Sequence, residues 1–116
     1  MDDITALTER LRTFTAARDW EQFHTPKNLA IALVAEAGEL AAEFQWLTPD
    51  QAAAVREPGG LRDRVAGELA DVLIYLVRLA DVSGLDQLAA AAAKIEVNET
   101  RFPPDVVRGR STMRAD

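Results

Sequence analysis

Apolar residues recur along the chain at the three- and four-residue spacing of helices, and no segment shows the alternation of a strand. The first such pattern predicts a helix over about Asp3–Arg18. A linking segment, Asp19–Thr25, follows it. Thr25 and Pro26 are typical of a helix N-cap and a first-turn proline, and they predict a second helix that runs to about Trp46.

The second half of the chain contains two further helical patterns separated by turn-forming residues. Prolines and paired glycines mark Leu47–Gly60 as a connection, with a short helix expected over Asp50–Val55. A third helix is predicted over about Leu61–Val82 and ends at a Ser-Gly pair. A fourth is predicted over about Asp86–Arg101, and the two prolines at positions 103 and 104 end it.

The predicted fold is therefore all-α, with one domain over residues 1–104 and a mobile polar tail over residues 105–116. A length of 116 residues suits one domain, and 48% hydrophobic residues supply a core. The net charge of −6 argues against general binding of nucleic acid, which relies on clustered cations. No apolar run reaches the ~20 residues of a membrane span, and the acidic N-terminus does not resemble a signal peptide. A cytoplasmic protein is expected.

Carboxylates occupy unusual positions on the second and third predicted helices. Glu36 and Glu39 lie at i and i+3 on the second helix, and Glu68 and Asp71 repeat that spacing on the third. A single pair of this kind is most often a solvated stripe. Here the neighbouring positions are almost all apolar, so both helices should be packed on more than one side. Unpaired carboxylates in such surroundings would repel one another or take up protons.

A hard divalent cation would relieve that repulsion, because carboxylate oxygens are the ligands that Mg²⁺ and Mn²⁺ prefer. The absence of cysteine and the single histidine disfavour zinc. We therefore predict a Mg²⁺ site, with Mn²⁺ as a substitute, formed by Glu36, Glu39, Glu68 and Asp71. Glu36 or Glu39 is also the candidate catalytic base that accepts a proton from water. Glu43 lies on the same stripe, either as an outer ligand or as a solvent-facing neighbour.

Cationic and aromatic residues complete a candidate nucleotide site. Lys94, Asn98 and Arg101 form one stripe on the fourth helix, which suits phosphate oxygens, although alone such a stripe is more often an exposed face. Aromatic rings near helix ends suit the stacking of a base, and the candidates are Trp20, Phe23, His24, Trp46 and Tyr75. Core packing is the alternative for Phe23, and a structural hydrogen bond is the alternative for His24.

Together these segments resemble the MazG-like nucleotide pyrophosphohydrolases, and within them the dCTP pyrophosphatase branch. The resemblance covers about residues 4–104 and rests on Asp-Trp-Glu-Gln-Phe-His at 19–24, Glu-Ala-Gly-Glu at 36–39, Phe-Gln-Trp at 44–46 and Glu-Leu-Ala-Asp at 68–71. It implies a four-helix fold that assembles into helical-bundle dimers or tetramers. It also implies hydrolysis of a nucleoside triphosphate to the monophosphate and pyrophosphate.

The resemblance further implies residue roles, with the four carboxylates as magnesium ligands. The nucleoside pocket would be lined by Trp20, Glu21, Gln22, Phe23, His24, Trp46 and Tyr75. The phosphates would be faced by Asn28, Lys94, Asn98 and Arg101. The expected substrate is dCTP or a modified dCTP. A house-cleaning enzyme for other non-canonical triphosphates and a non-enzymatic helical interaction module are the two alternatives.

Overall fold

The computed structural model describes residues 3–111, and in that range it contains helices and no strand. Its α-helices are α1 (Ile4–Ala17), α2 (Pro26–Ala42), α3 (Pro49–Ala53), α4 (Gly60–Val82), α5 (Gln87–Arg101) and α6 (Pro104–Val107). Two short 3₁₀ turns, Glu21–Phe23 and Ala54–Arg56, lie before α2 and α4. The predicted all-α fold class is confirmed.

The described residues form two compact units, residues 3–84 and residues 85–111. In the first unit, α2 packs along α4, and α1 packs against α4 as well. The most completely buried side chains described are Thr15 of α1, Leu29 of α2 and Val77 of α4. The core of this unit therefore lies where α4 meets the other two helices. The predicted division at residue 104 stays a prediction.

Three of the four long helices begin at a side chain that satisfies a free backbone N–H group. Asp3, Thr25 and Asp86 cap α1, α2 and α5, each accepting a hydrogen bond from the N–H three residues further on. Pro26 occupies the first turn of α2, where its missing N–H costs no helical hydrogen bond. These starts agree with the sequence-based boundaries because capping depends on residues that are neighbours in the chain.

The C-terminal end of α2 differs from the prediction. The helix ends at Ala42 rather than near Trp46. Beyond it, the N–H groups of Glu43 and Phe44 donate to carbonyls three residues earlier, at 3.2 and 3.0 Å. This change from four-residue to three-residue hydrogen bonds tightens the chain into turns and ends the α-helix. Trp46 is therefore carried by a turn and not by the helix.

The end of the described chain also differs from the prediction. α5 ends at Arg101 as expected, but α6 begins at Pro104, within what was predicted to be a break and a mobile tail. A proline that ends one helix is well suited to the first turn of the next. Residues 1–2 and 112–116 lie outside the described residues. None of the described helices is both long enough and apolar enough to cross a membrane.

α2 and α4 bury one side against each other and leave a second apolar side exposed. The exposed apolar side chains are Ile31 and Val34 on α2 and Leu69, Leu73 and Leu76 on α4. Val34 is 71% exposed and Leu69 is 53% exposed. A Cβ atom placed on Gly38 or Gly67 would meet no atom within 4 Å. The packing on more than one side that the sequence predicts is thus not completed by these two helices alone.

Candidate metal and nucleotide site

The antiparallel pairing of α2 and α4 sets the frame of the candidate site. Three contacts fix the pairing: His24 with Arg78, Glu36 with Glu68, and Glu43 with Arg64. Residue numbers rise along α2 while those of their partners fall along α4, so the two helices run in opposite directions. The carboxylates therefore lie midway along the pair, with His24 towards one end and Glu43 towards the other.

Three of the four predicted metal ligands lie together. One carboxylate oxygen from each of Glu36, Glu39 and Glu68 lies within 4.8 Å of the other two, and we call these residues the carboxylate cluster. This group of three does not include Asp71. Among the described residues, the Oε2 atoms of Glu36 and Glu68 are buried and have no hydrogen-bond partner. Buried polar atoms are nearly always satisfied, so two orphaned oxygens on residues of one acidic cluster favour a ligand that binds there.

Burial and like charge make the cluster difficult to ionise. Burial raises the pKa of Glu36, and the charge of Glu39 and a hydrogen bond with it raise that pKa further. The pKa of Glu68 is raised by burial first and by Glu39 second. The charge of Asp71 contributes to both shifts, so the fourth predicted ligand acts on the cluster electrostatically. An acid whose pKa is raised by folding destabilises the folded state as the pH rises past its unfolded value.

The donor set of the cluster fits a hard divalent cation. Its ligand atoms are carboxylate oxygens, with no nitrogen or sulfur among them. A cation bound there would supply the positive charge that the cluster lacks and would satisfy the orphaned oxygens of Glu36 and Glu68. Glu36, Glu39 and Glu68 are thus the residues that would hold it, with the charge of Asp71 beside them.

Glu43 forms an ion pair that the sequence did not predict, while its role as an outer ligand stays a prediction. Its Oε1 atom accepts a hydrogen bond from Nε of Arg64 at 2.9 Å. The pair joins the end of α2 to α4 and gives this carboxylate a cation of its own. Glu43 is therefore an interhelical ion-pair residue, although its charge still contributes to the raised pKa of Glu68.

The segment predicted to bind the nucleoside begins with a left-handed turn. At the end of α1, the N–H of Asp19 donates to Ala16 O and the N–H of Trp20 donates to Thr15 O, each at 3.1 Å, which is a Schellman motif. Asp19 takes a φ of 53°, a region that usually favours glycine and that aspartate tolerates. The turn places the Trp20 ring edge-on to Phe14, with 5.8 Å between centroids.

The 3₁₀ turn that follows is held by side chains at both ends. Nε2 of Gln22 donates to Asp19 O at 3.0 Å, and Nδ2 of Asn28 donates to Phe23 O at 3.0 Å. The amide nitrogen of Asn28, a predicted phosphate contact, is thus engaged in holding the turn. The Phe23 ring is exposed, so core packing within the chain does not account for it. Glu21 is also exposed on this turn.

His24 is bound by a buried arginine that the sequence analysis did not single out. Nε of Arg78 donates to Nδ1 of His24 at 3.2 Å, and Nη1 of Arg78 donates to Asp81 at 3.1 Å. Arg12 of α1 reaches the same carboxylate through Nε, at 2.8 Å, and through Nη2. A sequence signal existed, because Arg78 interrupts an apolar helix and Asp81 follows it at i+3.

The pKa values in this network follow from its charges. The pKa of His24 is lowered by burial first and by the positive charge of Arg78 second. The pKa of Asp81 is lowered chiefly by its hydrogen bond with Arg12 and further by the charges of both arginines, against an opposing effect of burial. The network therefore favours a neutral imidazole and an ionised carboxylate.

Of the remaining predicted residues, Trp46 is not near His24 within the first unit. Trp46 follows the far end of α2, which has 17 residues and is therefore about 25 Å long. Its side chain is 87% exposed. Tyr75 is half-buried on α4, between Glu68 and Arg78 in sequence. The predicted phosphate contacts Lys94, Asn98 and Arg101 lie on α5, in the second unit, and their role stays a prediction.

Comparison with known proteins identifies relatives, although no family model matches the chain. The chain is 47% identical over 104 residues to dCTP pyrophosphatase 1 of Homo sapiens and 44% identical over 103 residues to that of Mus musculus. These matches cover 84% and 89% of this chain but 58% and 61% of the two relatives. The chain thus spans about three-fifths of the length of the curated relatives that it matches.

A solved structure shares the fold over nearly its whole length. The crystal structure of a pyrophosphatase from Archaeoglobus fulgidus DSM 4304 matches with a TM-score of 0.78 and 38% identity, over 85% of this chain and 91% of that one. The shared helical architecture places the chain in the structural class of that pyrophosphatase. More particularly, the chain belongs to the MazG-like pyrophosphohydrolase family, which includes its dCTP pyrophosphatase relatives. The family predicted from the sequence is confirmed.

Proposed function

We propose that the chain hydrolyses dCTP, or a modified dCTP, to the nucleoside monophosphate and pyrophosphate with the help of Mg²⁺. The observation that carries this proposal is the carboxylate cluster: three carboxylate oxygens within 4.8 Å of one another, with two orphaned buried oxygens among the residues that supply them. The relatives named dCTP pyrophosphatase 1 support the choice of substrate. A bound divalent cation would offset the negative charge of the phosphate oxygens, and it would also orient a water molecule.

The three members of the carboxylate cluster differ in exposure, which suggests different tasks. Glu36 and Glu68 are half-buried and each has an orphaned oxygen, so they are proposed as the firmest ligands. Glu39 is exposed, so water reaches it most readily. We therefore assign the proton-accepting role to Glu39, with Glu36 as the alternative that the sequence also allowed.

The nucleoside is proposed to bind at the turn before α2. The rings of Trp20 and Phe23 are exposed there, and exposed rings suit the stacking of a base. The other proposed nucleoside contacts are Glu21, Gln22, His24, Trp46 and Tyr75. The proposed phosphate contacts are Asn28, Lys94, Asn98 and Arg101. Lysine and arginine at the phosphates would add to the charge that a cation brings.

A homo-oligomer is proposed from the exposed apolar side chains of α2 and α4. Exposed apolar surface on two packed helices is typical of a protein interface, and a second copy of the chain would cover it. Trp46 and Trp20 lie at opposite ends of α2, so both line one nucleoside pocket only if a second copy supplies Trp46. Light scattering during size-exclusion chromatography tests this assembly. Wild type should be a dimer or tetramer, Val34→Glu should be smaller, and Lys27→Glu, also exposed on α2, should match wild type.

A nucleotide panel with Mg²⁺ tests the proposed reaction. The chain is incubated with dCTP, 5-methyl-dCTP, dUTP and ITP, and products are separated chromatographically. The expected products of dCTP are dCMP and pyrophosphate, and ¹⁸O from labelled water identifies the phosphorus that was attacked. Release of dCDP and orthophosphate would contradict the assignment of the broken bond. Preference for ITP or dUTP would favour the house-cleaning role. If the chain hydrolysed none of these nucleotides, the interaction module would be favoured.

A further inference from the structure

A line of hydrogen bonds runs from α1 through α4 to the imidazole of His24. We call Arg12, Asp81, Arg78 and His24 the Arg78 network. Arg78 is at its centre and is only 5% exposed, which is rare for an arginine. It donates from Nε to His24 and from Nη1 to Oδ2 of Asp81, while Arg12 donates to both oxygens of that carboxylate. The carboxylate that anchors Arg78 is therefore itself held by a second arginine.

The geometry determines which nitrogen of His24 carries the proton. A guanidinium has only donors, so Nδ1 of His24 accepts the hydrogen bond from Arg78 and is itself unprotonated. In a neutral imidazole the proton is then on Nε2. A proton on Nδ1 would place two N–H donors against each other at 3.2 Å.

We propose that Arg78 is a positioning residue that holds His24 as the neutral Nε2–H tautomer, so that His24 offers the nucleotide a hydrogen-bond donor. The tautomer follows from this chain's own contacts, whereas use of the donor by a nucleotide oxygen rests on the proposed function. His24 adjoins the exposed rings of the turn before α2, where an acceptor oxygen of a stacked nucleoside would be within its reach.

The requirement for arginine, and not merely a positive charge, is part of the proposal. Arg78 uses two separate nitrogens at once, one for His24 and one for Asp81. A lysine in its place has a single nitrogen on a flexible stem and keeps the charge without the fork. The positive charge disfavours an imidazolium, whereas the tautomer is selected by a donor held against Nδ1, and the fork holds Nε there while Nη1 stays on Asp81.

The tautomer is measurable without any substrate. His24 is the only histidine in the chain, so long-range ¹H–¹⁵N correlation of labelled protein at pH 7 shows one imidazole. The expected spectrum has a protonated, pyrrole-type Nε2 and an unprotonated Nδ1. A protonated Nδ1, alone or in an imidazolium, would overturn the proposal. This measurement on the wild-type chain decides the point even if Arg78 variants fail to fold.

Three variants separate positioning from general stability. Arg78→Met should give a mixture of tautomers and a His24 pKa that moves up towards its ordinary value. Arg78→Lys should keep part of the lowered pKa but lose the single tautomer. Arg12→Met is the matched control, because Arg12 contacts Asp81 but not His24, and it should keep the Nε2–H form. Folding of each variant is checked by circular dichroism, and an unchanged tautomer in folded Arg78→Met would overturn the proposal.

Steady-state kinetics with dCTP test whether bound nucleotide accepts a hydrogen bond from Nε2 of His24. Arg78→Met should raise KM by about twofold or more, because only the fraction of molecules in the Nε2–H form can then donate to bound substrate. The value of kcat should stay within about twofold, because a contact made equally in the ground and transition states affects KM alone. An altered tautomer with an unchanged KM would overturn the role towards substrate. Absence of dCTP hydrolysis by wild type would contradict the proposed function, while the spectrum would still test the positioning by Arg78.

Discussion

Two carboxylates on α4, those of Glu68 and Asp81, have opposite electrostatic surroundings. Glu68 lies against Glu36 and Glu39, with no lysine or arginine bound to it among residues 3–111, and its pKa is raised by burial and by neighbouring carboxylates. Thirteen residues later, Asp81 is bound by Arg12 and Arg78, and its pKa is lowered, chiefly by the hydrogen bond with Arg12. One helix thus carries a carboxylate that the fold neutralises and another that it leaves unneutralised.

The difference shows that arginine side chains lie on the same helix as Glu68 but form their ion pairs with other carboxylates. Arg64 lies four residues before Glu68 on the same helix, a spacing that allows an ion pair. Its guanidinium is instead bound to Glu43. Perturbed carboxylates gathered without a structural partner are typical of functional sites. We therefore interpret the Arg78 network as structure and positioning, and the carboxylate cluster as a ligand site.

The largest expected effect is that of Glu39→Gln, which removes the proposed proton acceptor and one cation ligand at nearly constant volume. The variant should lose about 100-fold or more in kcat/KM, as expected for loss of a general base. Its helical circular dichroism should match wild type, because Glu39 is exposed. The measurement is release of pyrophosphate from dCTP. Activity within tenfold of wild type would remove Glu39 from the mechanism.

Asp81→Ala should have the next largest effect, on stability. It leaves the buried Arg78 without its carboxylate, which should lower the free energy of unfolding by about 3 kcal/mol in urea at pH 7. The contribution of Asp81 is present above its unfolded pKa and is lost as the pH falls through the lower folded value. Asp63→Ala, in the exposed first turn of α4, is the control and should cost less than about 1 kcal/mol. If both variants lost the same free energy of unfolding, the ion pair with the buried Arg78 would not account for the effect of Asp81→Ala.

The effect of Glu68→Gln on stability should have the opposite sign: without a divalent cation, the variant should be more stable than wild type. The change removes a charge from a repelling cluster, so the Tm in EDTA at pH 7 should rise above wild type. The raised pKa of Glu68 means that this advantage grows as the pH rises from about 4.5 and disappears below it. Mg²⁺ should stabilise wild type but not the variant. A variant that is less stable than wild type in EDTA would show that the cluster is satisfied as it stands.

The smallest expected effect is that of Glu43→Gln, the paired carboxylate at the end of α2. The side chain of Arg64 is 60% exposed, so loss of this ion pair should cost at most about 1 kcal/mol in urea unfolding. The cost should shrink as salt screens the pair. Activity should stay within about threefold of wild type. A loss as large as that of Glu39→Gln would place Glu43 in the site after all.

The starts of the long helices could be predicted from the sequence because caps and apolar spacing are local. Thr25 and Pro26 fixed the start of α2 in this way. The end of α2 could not be predicted, because the switch to three-residue hydrogen bonds after Ala42 leaves no distinct residue pattern. A helix at Pro104 was missed because proline both ends and begins helices.

The carboxylate cluster could be predicted because each helix carries its own i, i+3 pair among apolar neighbours. The meeting of Glu36 with Glu68 needed only that the two apolar helices pack together. The sequence signalled only the Arg78–Asp81 pair, because the full Arg78 network joins positions 12, 24, 78 and 81 and depends on how three chain segments cross. The gap between His24 and Trp46 was already implied by the predicted second helix, which begins just after His24 and ends near Trp46.

Direct binding of Mn²⁺ tests most directly the claim that the carboxylate cluster is a cation site. Free Mn²⁺ is measured by electron paramagnetic resonance as the ion is titrated into wild type and into a Glu36→Gln, Glu68→Gln double variant. Wild type should bind saturably at pH 7 and more weakly at pH 5, because the raised pKa values of Glu36 and Glu68 let protons compete. The double variant should not bind. No binding by wild type, or equal binding by both proteins, would contradict the account.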